Sequence, residues 1–540
     1  MLRFDRRLLL VEPGSRCKPV PGDVVTARIH RKVTKPDSVS LALAVSPTDY
    51  LHAPRLVASS WVVGVESLSS SRIAAPCSHF HACGGCRFQH IPYALELQLK
   101  ESNVKSALQP LLVSSNAAHH PIIGAVGDHL DILRYRNKME YSFSNVAPRS
   151  NESPSHPLAE STVPAFSLGL HLCGRFDAVV DIEECLLQTP SASVILRGLK
   201  REITKMMQSA LALGADISTV RQLVADSRRR KGHPERGFLR QAVIRSGTRG
   251  EFMLHVITEG DPPECFGSAL EVLENLMRPL VHLMSNQGDG SMLVSVVATW
   301  GDIKVPRTLL STRETITQCV GGVEFVIRPL SFFQPNPRQA EILARLVVDA
   351  VLPALTELQD TDLVPTVLDL YCGAGFFSII VAKAVILRGS SRLRVVGIEL
   401  SADAIGDAVF NATHNGLVVD TGHRENNVSL SFTSLDLNCT KGIDAASKLC
   451  LSDSDSGAAF GDIVIVDPPR IGLPLRLAES LRMARPLRIV YVSCNPATFA
   501  RDAVVLTEGK QYDLVSVQPL DCFPRTAHCE VVGIFQRINP

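Results

Sequence analysis

The sequence predicts an α/β protein with a C-terminal doubly wound sheet, preceded by a small β-barrel and a central α+β domain. From residue 336 onward, short buried-strand runs alternate with helical segments, as in doubly wound domains. Residues 18 to 75 instead hold β-rich runs broken by Pro, Gly and Asp. The length of 540 residues exceeds what one core usually supports. We therefore predict domains at 1–75, 76–335 and 336–540.

Individual elements follow from the same patterns. The C-terminal strands are predicted in "TVLDL", "RVVGIEL", "DIVIVDPP" and "RIVYVSCNP". The central domain holds helical segments in "YALELQLKESNVKSALQPLL" and "VILRGLKREITKMMQSALALG", and strands in "QAVIRSG" and "FMLHVIT". "GDVVTARIHR", "SVSLALAV" and "SSWVVGVESLS" suggest an antiparallel barrel. Residues 144–164 and 438–460 contain Ser-rich or polar stretches that indicate surface insertions.

Charge and hydropathy exclude some classes of protein. Lys and Arg number 55 against 54 Asp and Glu, so a polyanion-binding surface must be a local patch, for which 226–240 and 134–140 are candidates. A solvated face is the alternative for both. No apolar run approaches the roughly 20 residues of a membrane span, so no membrane association is expected. The first residues, "MLRFDRRLLLVEPG", resemble an organelle-targeting segment only weakly. We therefore expect an intracellular, cytoplasmic protein, and the mitochondrion and the plastid are the alternatives.

The ends of the C-terminal strands carry residues suited to a nucleoside cofactor. Gly373 and Gly375 follow the first strand, where doubly wound sheets bind nucleotides, and Ser378 replaces the third glycine of the dinucleotide fingerprint. Glu399 ends the second strand, in a position to accept both ribose hydroxyls. Asp467 leaves the third strand into a Pro-Pro turn. A solvent-exposed acid and a plain turn are the alternatives. Together the strand ends favour S-adenosylmethionine over a dinucleotide.

The segment "SFFQPNPRQAEIL" leads into the first helix of the C-terminal domain. Gln334 and Asn336 on this loop carry amides that can contact the cofactor or a base edge. Helix capping is the alternative role for these side chains.

Cys494 follows the fourth strand and precedes an Asn-Pro turn. A thiolate beside a methyl donor indicates nucleophilic catalysis, because addition of sulfur to C6 of uracil makes C5 nucleophilic enough to accept a methyl group. The C5 proton must then be removed, and Glu530 at the start of the last strand supplies a carboxylate, with His528 on the same face under strand alternation. Packing of the cysteine at a strand edge and solvation of the acid are the alternatives.

Five ordered motifs, "FFQPN", "LDLYCGAG", "DPPR", "SCNP" and "FPRTAHCE", make the sequence resemble the RNA 5-methyluridine methyltransferases, which act on uracil C5 in tRNA and ribosomal RNA. The resemblance spans nearly the whole chain and implies a Rossmann-like catalytic domain, an N-terminal TRAM domain, a monomer and an RNA substrate. It implies that Cys494 is the nucleophile and Glu530 the general base. It also implies four cofactor contacts, which are Gln334, Tyr371, Glu399 and Asp467.

A cysteine motif, "CSHFHACGGCRFQH", spaces three thiols as C-x5-C-x2-C. These are Cys77, Cys83 and Cys86, and Cys185 is a distant fourth. Four cysteines suit either tetrahedral zinc or an iron-sulfur cluster. The neighbouring His79, His81 and His90 are further possible zinc ligands, so zinc stays an alternative. The spacing resembles the iron-sulfur motif of the ribosomal RNA branch of the family, which favours a structural 4Fe-4S cluster. Unligated reduced thiols are the remaining alternative.

Two functional classes stay open at this point. The first is a methyltransferase acting on tRNA or on ribosomal RNA, and neither the RNA nor the target uridine is named by the sequence. The second is an RNA-binding chaperone that uses the barrel without catalysis. The motifs around Cys494 and Glu530 favour the enzyme.

Overall fold

The computed structural model describes the backbone at 2–4, 7–11, 24–30, 40–44 and 58–67, and residues 70–114, 117–125, 132–146, 163–225, 237–300, 305–310, 313–358, 364–389, 392–419, 428–451 and 461–538. The chain forms two compact units. Unit 1 comprises Met1–Leu99, Gly127–Thr317 and Arg328–Leu330, and unit 2 comprises Lys100–Val126, Gln318–Ile327 and Ser331–Pro540. The three-domain division stays a prediction.

The elements follow in chain order. The strands are β1 (Leu2–Phe4), β2 (Arg7–Val11), β3 (Val24–His30), β4 (Ser40–Ala44), β5 (Ala58–Ser67), β6 (Ala118–His119), β7 (Lys138–Ser144), β8 (Ser167–His171), β9 (Val179–Asp181), β10 (Leu239–Ser246), β11 (Glu251–Thr258), β12 (Met292–Thr299), β13 (Arg307–Thr308), β14 (Ile316–Val320), β15 (Val323–Ile327), β16 (Thr366–Leu370), β17 (Leu393–Glu399), β18 (Val418–Val419), β19 (Val428–Ser434), β20 (Ile463–Val466), β21 (Arg488–Ser493), β22 (Tyr512–Leu520) and β23 (Glu530–Arg537). The α-helices are α1 (Tyr93–Ser114), α2 (Pro190–Ala212), α3 (Ile217–Arg221), α4 (Ala269–Ser285), α5 (Pro337–Glu357), α6 (Phe376–Leu387), α7 (Ala402–His414), α8 (Thr440–Leu451), α9 (Leu475–Ala484) and α10 (Pro496–Thr507).

The first five strands form one sheet in the order β1-β2-β5-β3-β4. The three strands predicted here are present as β3, β4 and β5, but the all-antiparallel arrangement is wrong for one pair, because β2 and β5 run parallel. A parallel pair needs a long connection, and the chain between these two strands includes the antiparallel β3–β4 pair. Closure of this sheet into a barrel stays a prediction.

The rest of unit 1 is built on a seven-stranded sheet in the order β13-β12-β11-β10-β7-β8-β9. Helices α2 and α4 pack against each other, and Gly198 permits this contact, because a Cβ there would lie 2.7 Å from the Leu280 side chain. The predicted central helices and strands are confirmed as α1, α2, β10 and β11.

Unit 2 contains a nine-stranded sheet in the order β18-β19-β17-β16-β20-β21-β23-β22-β6. The four predicted strands are its centre, β17-β16-β20-β21, and they run parallel. Apart from Asp369 in β16, their interiors are buried apolar runs, as expected of strands covered by helices on both faces. Chain order reverses at β16, so the crevice at the carboxyl ends of β16 and β20 is the expected ligand site. The doubly wound prediction is thus confirmed.

One predicted insertion is corrected by the structure. Within 438–460, residues 440–451 form α8, and Ile443 and Ala446 of this helix are buried in the unit 2 core. The polar stretch that follows masked this short amphipathic helix in the sequence pattern. Residues 452–460, most of the insertion at 144–164 and most of the basic run at 226–240 lie outside the described residues. None of the described helices is both long and apolar enough to cross a bilayer.

Candidate active site

Three predicted site residues meet at one edge of the unit 2 sheet. Cys494 directly follows β21, and Asp467 directly follows the neighbouring parallel strand β20. The antiparallel partner β23 begins at Glu530, and its second residue, Val531, pairs with Ser493 of β21. Continuing that antiparallel register places Glu530 next to Cys494. Sheet topology therefore brings a thiol and a carboxyl group, 36 positions apart in the chain, to one place.

The electrostatic environment of the half-buried Cys494 thiol is set by three charged neighbours. Burial, together with the nearby carboxyl groups of Glu530 and Asp467, raises its pKa from 9.0 to about 11. The guanidinium of Arg470 opposes them. In the protein without substrate the thiol is therefore mostly protonated at neutral pH, and Arg470 is the group that favours the thiolate.

The Glu530 side chain is almost fully buried, with 5% of its surface exposed. Burial and, to a smaller extent, the charge of Asp467 raise its pKa from 4.5 to about 8 against the opposing charge of Arg470. Burial also raises the pKa of Asp467 to about 7, assisted by the charge of Asp369. These carboxyl groups therefore exchange protons near neutral pH, as a general base of a carbon acid requires.

Arg470 is a site residue that the sequence analysis did not assign, although it belongs to the "DPPR" motif. Its carbonyl oxygen accepts hydrogen bonds from Asn495 Nδ2 at 3.1 Å and Thr498 Oγ1 at 3.3 Å. Its Nη2 lies 3.5 Å from His528 Nε2. His528 lies two residues before the start of β23, so strand alternation does not decide its orientation, and its place on the face of Glu530 stays a prediction. An arginine directly after an acid and a Pro-Pro turn was the signal that would have identified it.

A glycine loop at the end of β16 forms the second half of the site. Gly373 and Gly375 have φ of +54° and +81°, in the left-handed region that favours glycine, and Tyr371 shares this conformation at +65°. Gly375 is also the residue that precedes the first turn of α6. A Cβ on Gly373 would meet no atom of the described residues within 4 Å, so the loop borders open space.

Two buried polar atoms, one at the start of this loop and one in the strand before it, lack a hydrogen-bond partner among the described residues: Tyr371 Oη and Asp369 Oδ1 of β16. The other oxygen of Asp369 accepts hydrogen bonds from the Ser378 amide at 3.0 Å and hydroxyl at 2.6 Å. Burial raises the pKa of Asp369 to about 7. Unpaired buried polar atoms at a strand end indicate a polar ligand or ordered water. The donor and acceptor set fits the nucleoside and amino-acid groups of S-adenosylmethionine.

Glu399 connects the ends of two strands. Its Oε2 accepts a hydrogen bond from the Gly373 amide at 3.3 Å, and its Oε1 accepts from Leu400 at 2.8 Å and Ser401 at 3.0 Å. The carboxylate is thereby fixed beside the glycine loop, where the sequence placed a ribose-binding acid.

The entrance loop presents its two amides differently. Asn336 caps α5 by accepting a hydrogen bond from the Gln339 amide at 3.3 Å, so helix capping is confirmed for this residue. Its Nδ2 also donates to the Cys522 carbonyl at 3.2 Å, which ties the entrance loop to the segment before Glu530. Gln334 is half-buried two residues earlier on the same loop.

The cysteine motif lies in unit 1. Burial raises the pKa of the Cys86 thiol to about 12, and the charges of the other three predicted ligands, Cys185, Cys83 and Cys77, add to the rise. The four thiols are therefore electrostatic neighbours. Gly84 donates to the His171 carbonyl at 3.0 Å and leaves little room for a side chain, since a Cβ there would lie 3.1 Å from that oxygen. Within the described part of the chain, no three histidine, cysteine or acidic side chains form a closed metal-binding group.

Comparison with known proteins identifies the family. The model of the family described as tRNA (Uracil-5-)-methyltransferase matches residues 313–538. An uncharacterized RNA methyltransferase of Porphyromonas gingivalis is 30% identical over 479 residues, covering 88% of this chain and 89% of the relative. Another from Chlorobaculum tepidum is 29% identical over 520 residues, covering 96% and 90%.

One solved structure shows the same fold. The tRNA (uracil-54, C5)-methyltransferase of Pyrococcus abyssi, in complex with S-adenosyl-L-homocysteine, superposes with a TM-score of 0.55 at 23% identity and covers 90% of this chain and 91% of its own. With the family match over the catalytic unit and the relatives along the whole length, the chain belongs to the tRNA (uracil-5-)-methyltransferase family of RNA methyltransferases.

Proposed function

We propose that this protein transfers a methyl group from S-adenosylmethionine to C5 of a uridine in tRNA or ribosomal RNA. The observation that carries the proposal is the meeting of Cys494 and Glu530 at the carboxyl edge of the unit 2 sheet, beside Asp467 and Arg470. A half-buried nucleophile next to a carboxyl group of raised pKa suits a reaction that forms and then eliminates a covalent adduct.

In this mechanism the Cys494 thiol gives its proton to solvent and its sulfur bonds to C6 of uracil, which moves the C5–C6 electron pair toward C5 and O4. S-adenosylmethionine would supply an electrophilic methyl group to C5, and its sulfur would keep the electron pair of the broken S–CH3 bond. Glu530 as carboxylate takes the C5 proton, the C–H electron pair restores the C5–C6 double bond, and the sulfur leaves as thiolate. Arg470 favours both anionic groups, since it lowers the pKa of each.

The test of this function is methyl transfer itself. Purified protein, labelled S-adenosylmethionine and RNA lacking the modification are expected to yield labelled RNA, with all label at C5 of uridine after digestion to nucleosides. Mapping 5-methyluridine in total RNA with and without the gene then names the RNA and the position. Label at another base, or no label in any RNA, would refute the proposal and leave an RNA-binding chaperone as the surviving class.

We expect Glu399→Gln to weaken binding of S-adenosylmethionine by about tenfold or more. The substitution removes a charged acceptor from the ribose hydroxyls, and hydrogen bonds to charged groups contribute roughly 1.5 to 3 kcal/mol. Isothermal titration calorimetry measures the change. Asp403→Asn is the matched control, because this exposed acid in the first turn of α7 lies four residues away. Equal affinity in both variants would remove Glu399 from the cofactor site.

We also propose that Cys77, Cys83, Cys86 and Cys185 hold a structural 4Fe-4S cluster in unit 1. The four thiols are near neighbours, Cys83 and Cys185 are buried, and Cys83 Sγ accepts a hydrogen bond from the Gly85 amide at 3.3 Å. Four thiolates are the ligand set of such clusters, and a backbone donor to one sulfur stabilises the charge of the cluster. The N-terminal sheet, which resembles a TRAM domain, is proposed to contact the RNA, and the enzyme to act as a monomer.

Anaerobically purified protein is expected to be brown and to contain about four iron atoms per chain. Cys86→Ser is expected to lose iron and to lower the melting temperature, because a cluster links segments that are far apart in sequence. Cys265→Ser, at an exposed thiol in the same unit, is the control and is expected to keep both. Stoichiometric zinc without iron in the wild-type protein would contradict the cluster, whatever the variant does.

A further inference from the structure

An exposed apolar side chain stands beside the catalytic residues. The loop from Pro468 to Pro474 connects β20 to α9, and Ile471 at its middle is 72% exposed. Single exposed apolar side chains are common on this protein, and Ile471 differs from the others by its place directly after Arg470 at the edge of the crevice.

The loop that carries Ile471 is firmly held. Arg501 Nη2 donates hydrogen bonds to the carbonyl oxygens of Ile471 at 2.9 Å and Leu473 at 3.1 Å. The Leu473 amide donates to the buried Asp502 carboxylate at 2.7 Å. The backbone on both sides of the exposed side chain is therefore fixed to α10, and the exposure belongs to the folded loop.

The next residue, Gly472, is required for this arrangement. Its φ is +80°, and a Cβ there would lie 2.5 Å from Asp502 Oδ2 and 2.6 Å from Arg501 Nη2. Glycine thus allows the loop to press against α10 while the preceding side chain points away from the core. The contacts that hold the loop also determine where Ile471 projects.

This loop is joined directly to the nucleophile. Arg470 precedes Ile471, and its carbonyl oxygen is bonded to Asn495, the residue after Cys494. The charge of Arg470 acts on the Cys494 thiol, whereas Arg501 is paired with the Asp502 carboxylate at 2.7 Å and serves to hold the loop. The result is an exposed aliphatic side chain next to one arginine, Arg470, at the edge of the crevice, a combination suited to a base and a phosphate of RNA.

We propose that Ile471 fills the gap in the RNA base stack that the target uridine leaves when it turns into the crevice. This inference rests on the proposed function. A thiolate must approach C6 from the face of the ring, and a stacked base hides both faces, so the uridine has to leave the stack. An inserted aliphatic side chain offsets part of the lost stacking, and Arg470 contacts a flanking phosphate.

The test compares two forms of one RNA. The first substrate is the folded RNA segment that the wild-type protein methylates. The second is a short unstructured strand with the same sequence around the target uridine. Ile471→Ala is expected to lower kcat/KM about tenfold on the folded RNA and to leave the unstructured strand unaffected, while Ile471→Leu stays near wild type. Met483→Ala, which truncates a side chain 74% exposed on α9, is the control and is expected to change neither. A 2-aminopurine beside the target uridine reports unstacking, and its fluorescence rise is expected to diminish with Ile471→Ala.

Wild-type activity of Ile471→Ala on the folded RNA would overturn the inference. An equal loss of kcat/KM on both RNA forms would also overturn it, because that result indicates a disturbed crevice and not the loss of a side chain that inserts into the base stack. If the wild-type protein methylates neither form, the proposed function itself is refuted. This outcome differs from failure of the inference because the wild type and every variant are then inactive.

Discussion

Cys494→Ala is expected to abolish methyl transfer, with a loss of at least about 10⁴-fold, the scale on which removal of a nucleophile acts. Without the sulfur, nothing adds to C6 and C5 remains too weak a nucleophile to accept the methyl group. RNA binding is expected to persist, because the substitution removes only a half-buried thiol at the end of β21. Electrophoretic mobility shift and methyl-transfer assays measure the two properties separately.

The covalent step provides the sharper measurement. In RNA that contains 5-fluorouridine, fluorine occupies the place of the C5 proton that the general base removes. The wild-type protein is therefore expected to stay covalently attached to this RNA and to migrate as a shifted band on a denaturing gel. Cys494→Ala is expected to show no such band. Cys439→Ala, at an exposed thiol before α8, is the control and is expected to retain it. A methyl-labelled crosslink that survives in Cys494→Ala would assign the nucleophile to another residue.

Much of this site could be predicted because its residues lie at the ends of buried strands. Apolar runs reveal parallel strands, and the residue after each run reaches the same edge of the sheet, so Asp467 and Cys494 were placed by pattern alone. The contact with Glu530 was different. It depends on β23 being inserted antiparallel between β21 and β22, a pairing that no local pattern in the sequence specifies.

Other features were hidden by their surroundings. The strand β19 alternates partly exposed polar residues with apolar ones and was not predicted, and α8 was obscured by the polar stretch that follows it. The bond from Ser378 to Asp369 joins a strand to the helix that follows the glycine loop. Ser378 was noticed only as a missing glycine, because sequence spacing does not show which side chains turn toward each other.

Glu530→Gln is expected to stop the reaction after methyl transfer. The glutamine still allows Cys494 to add and C5 to be methylated, but an amide cannot take the C5 proton, so the sulfur is not expelled. The stalled species is a protein–RNA crosslink that carries the methyl label and forms with ordinary RNA. At most about one turnover per enzyme is expected, against many for the wild type, measured by counting label in the shifted band and in free RNA.

The pH dependence separates this role from a structural one. Because the pKa of Glu530 is raised to about 8 in the folded protein, its carboxyl group is protonated and inactive as a base at lower pH, so wild-type turnover is expected to rise as the pH rises through about 8. The same pKa shift lowers the free energy of unfolding as the pH rises from 4.5, the ordinary pKa of a glutamate, to about 8, its pKa in the folded protein. Glu530→Gln does not titrate, so it is expected to gain stability relative to the wild type across this interval while losing turnover. A variant that turns over normally would place the base elsewhere, with His528 the next residue to replace, whereas a variant that is both inactive and less stable at pH 8 would mean that Glu530 serves the fold.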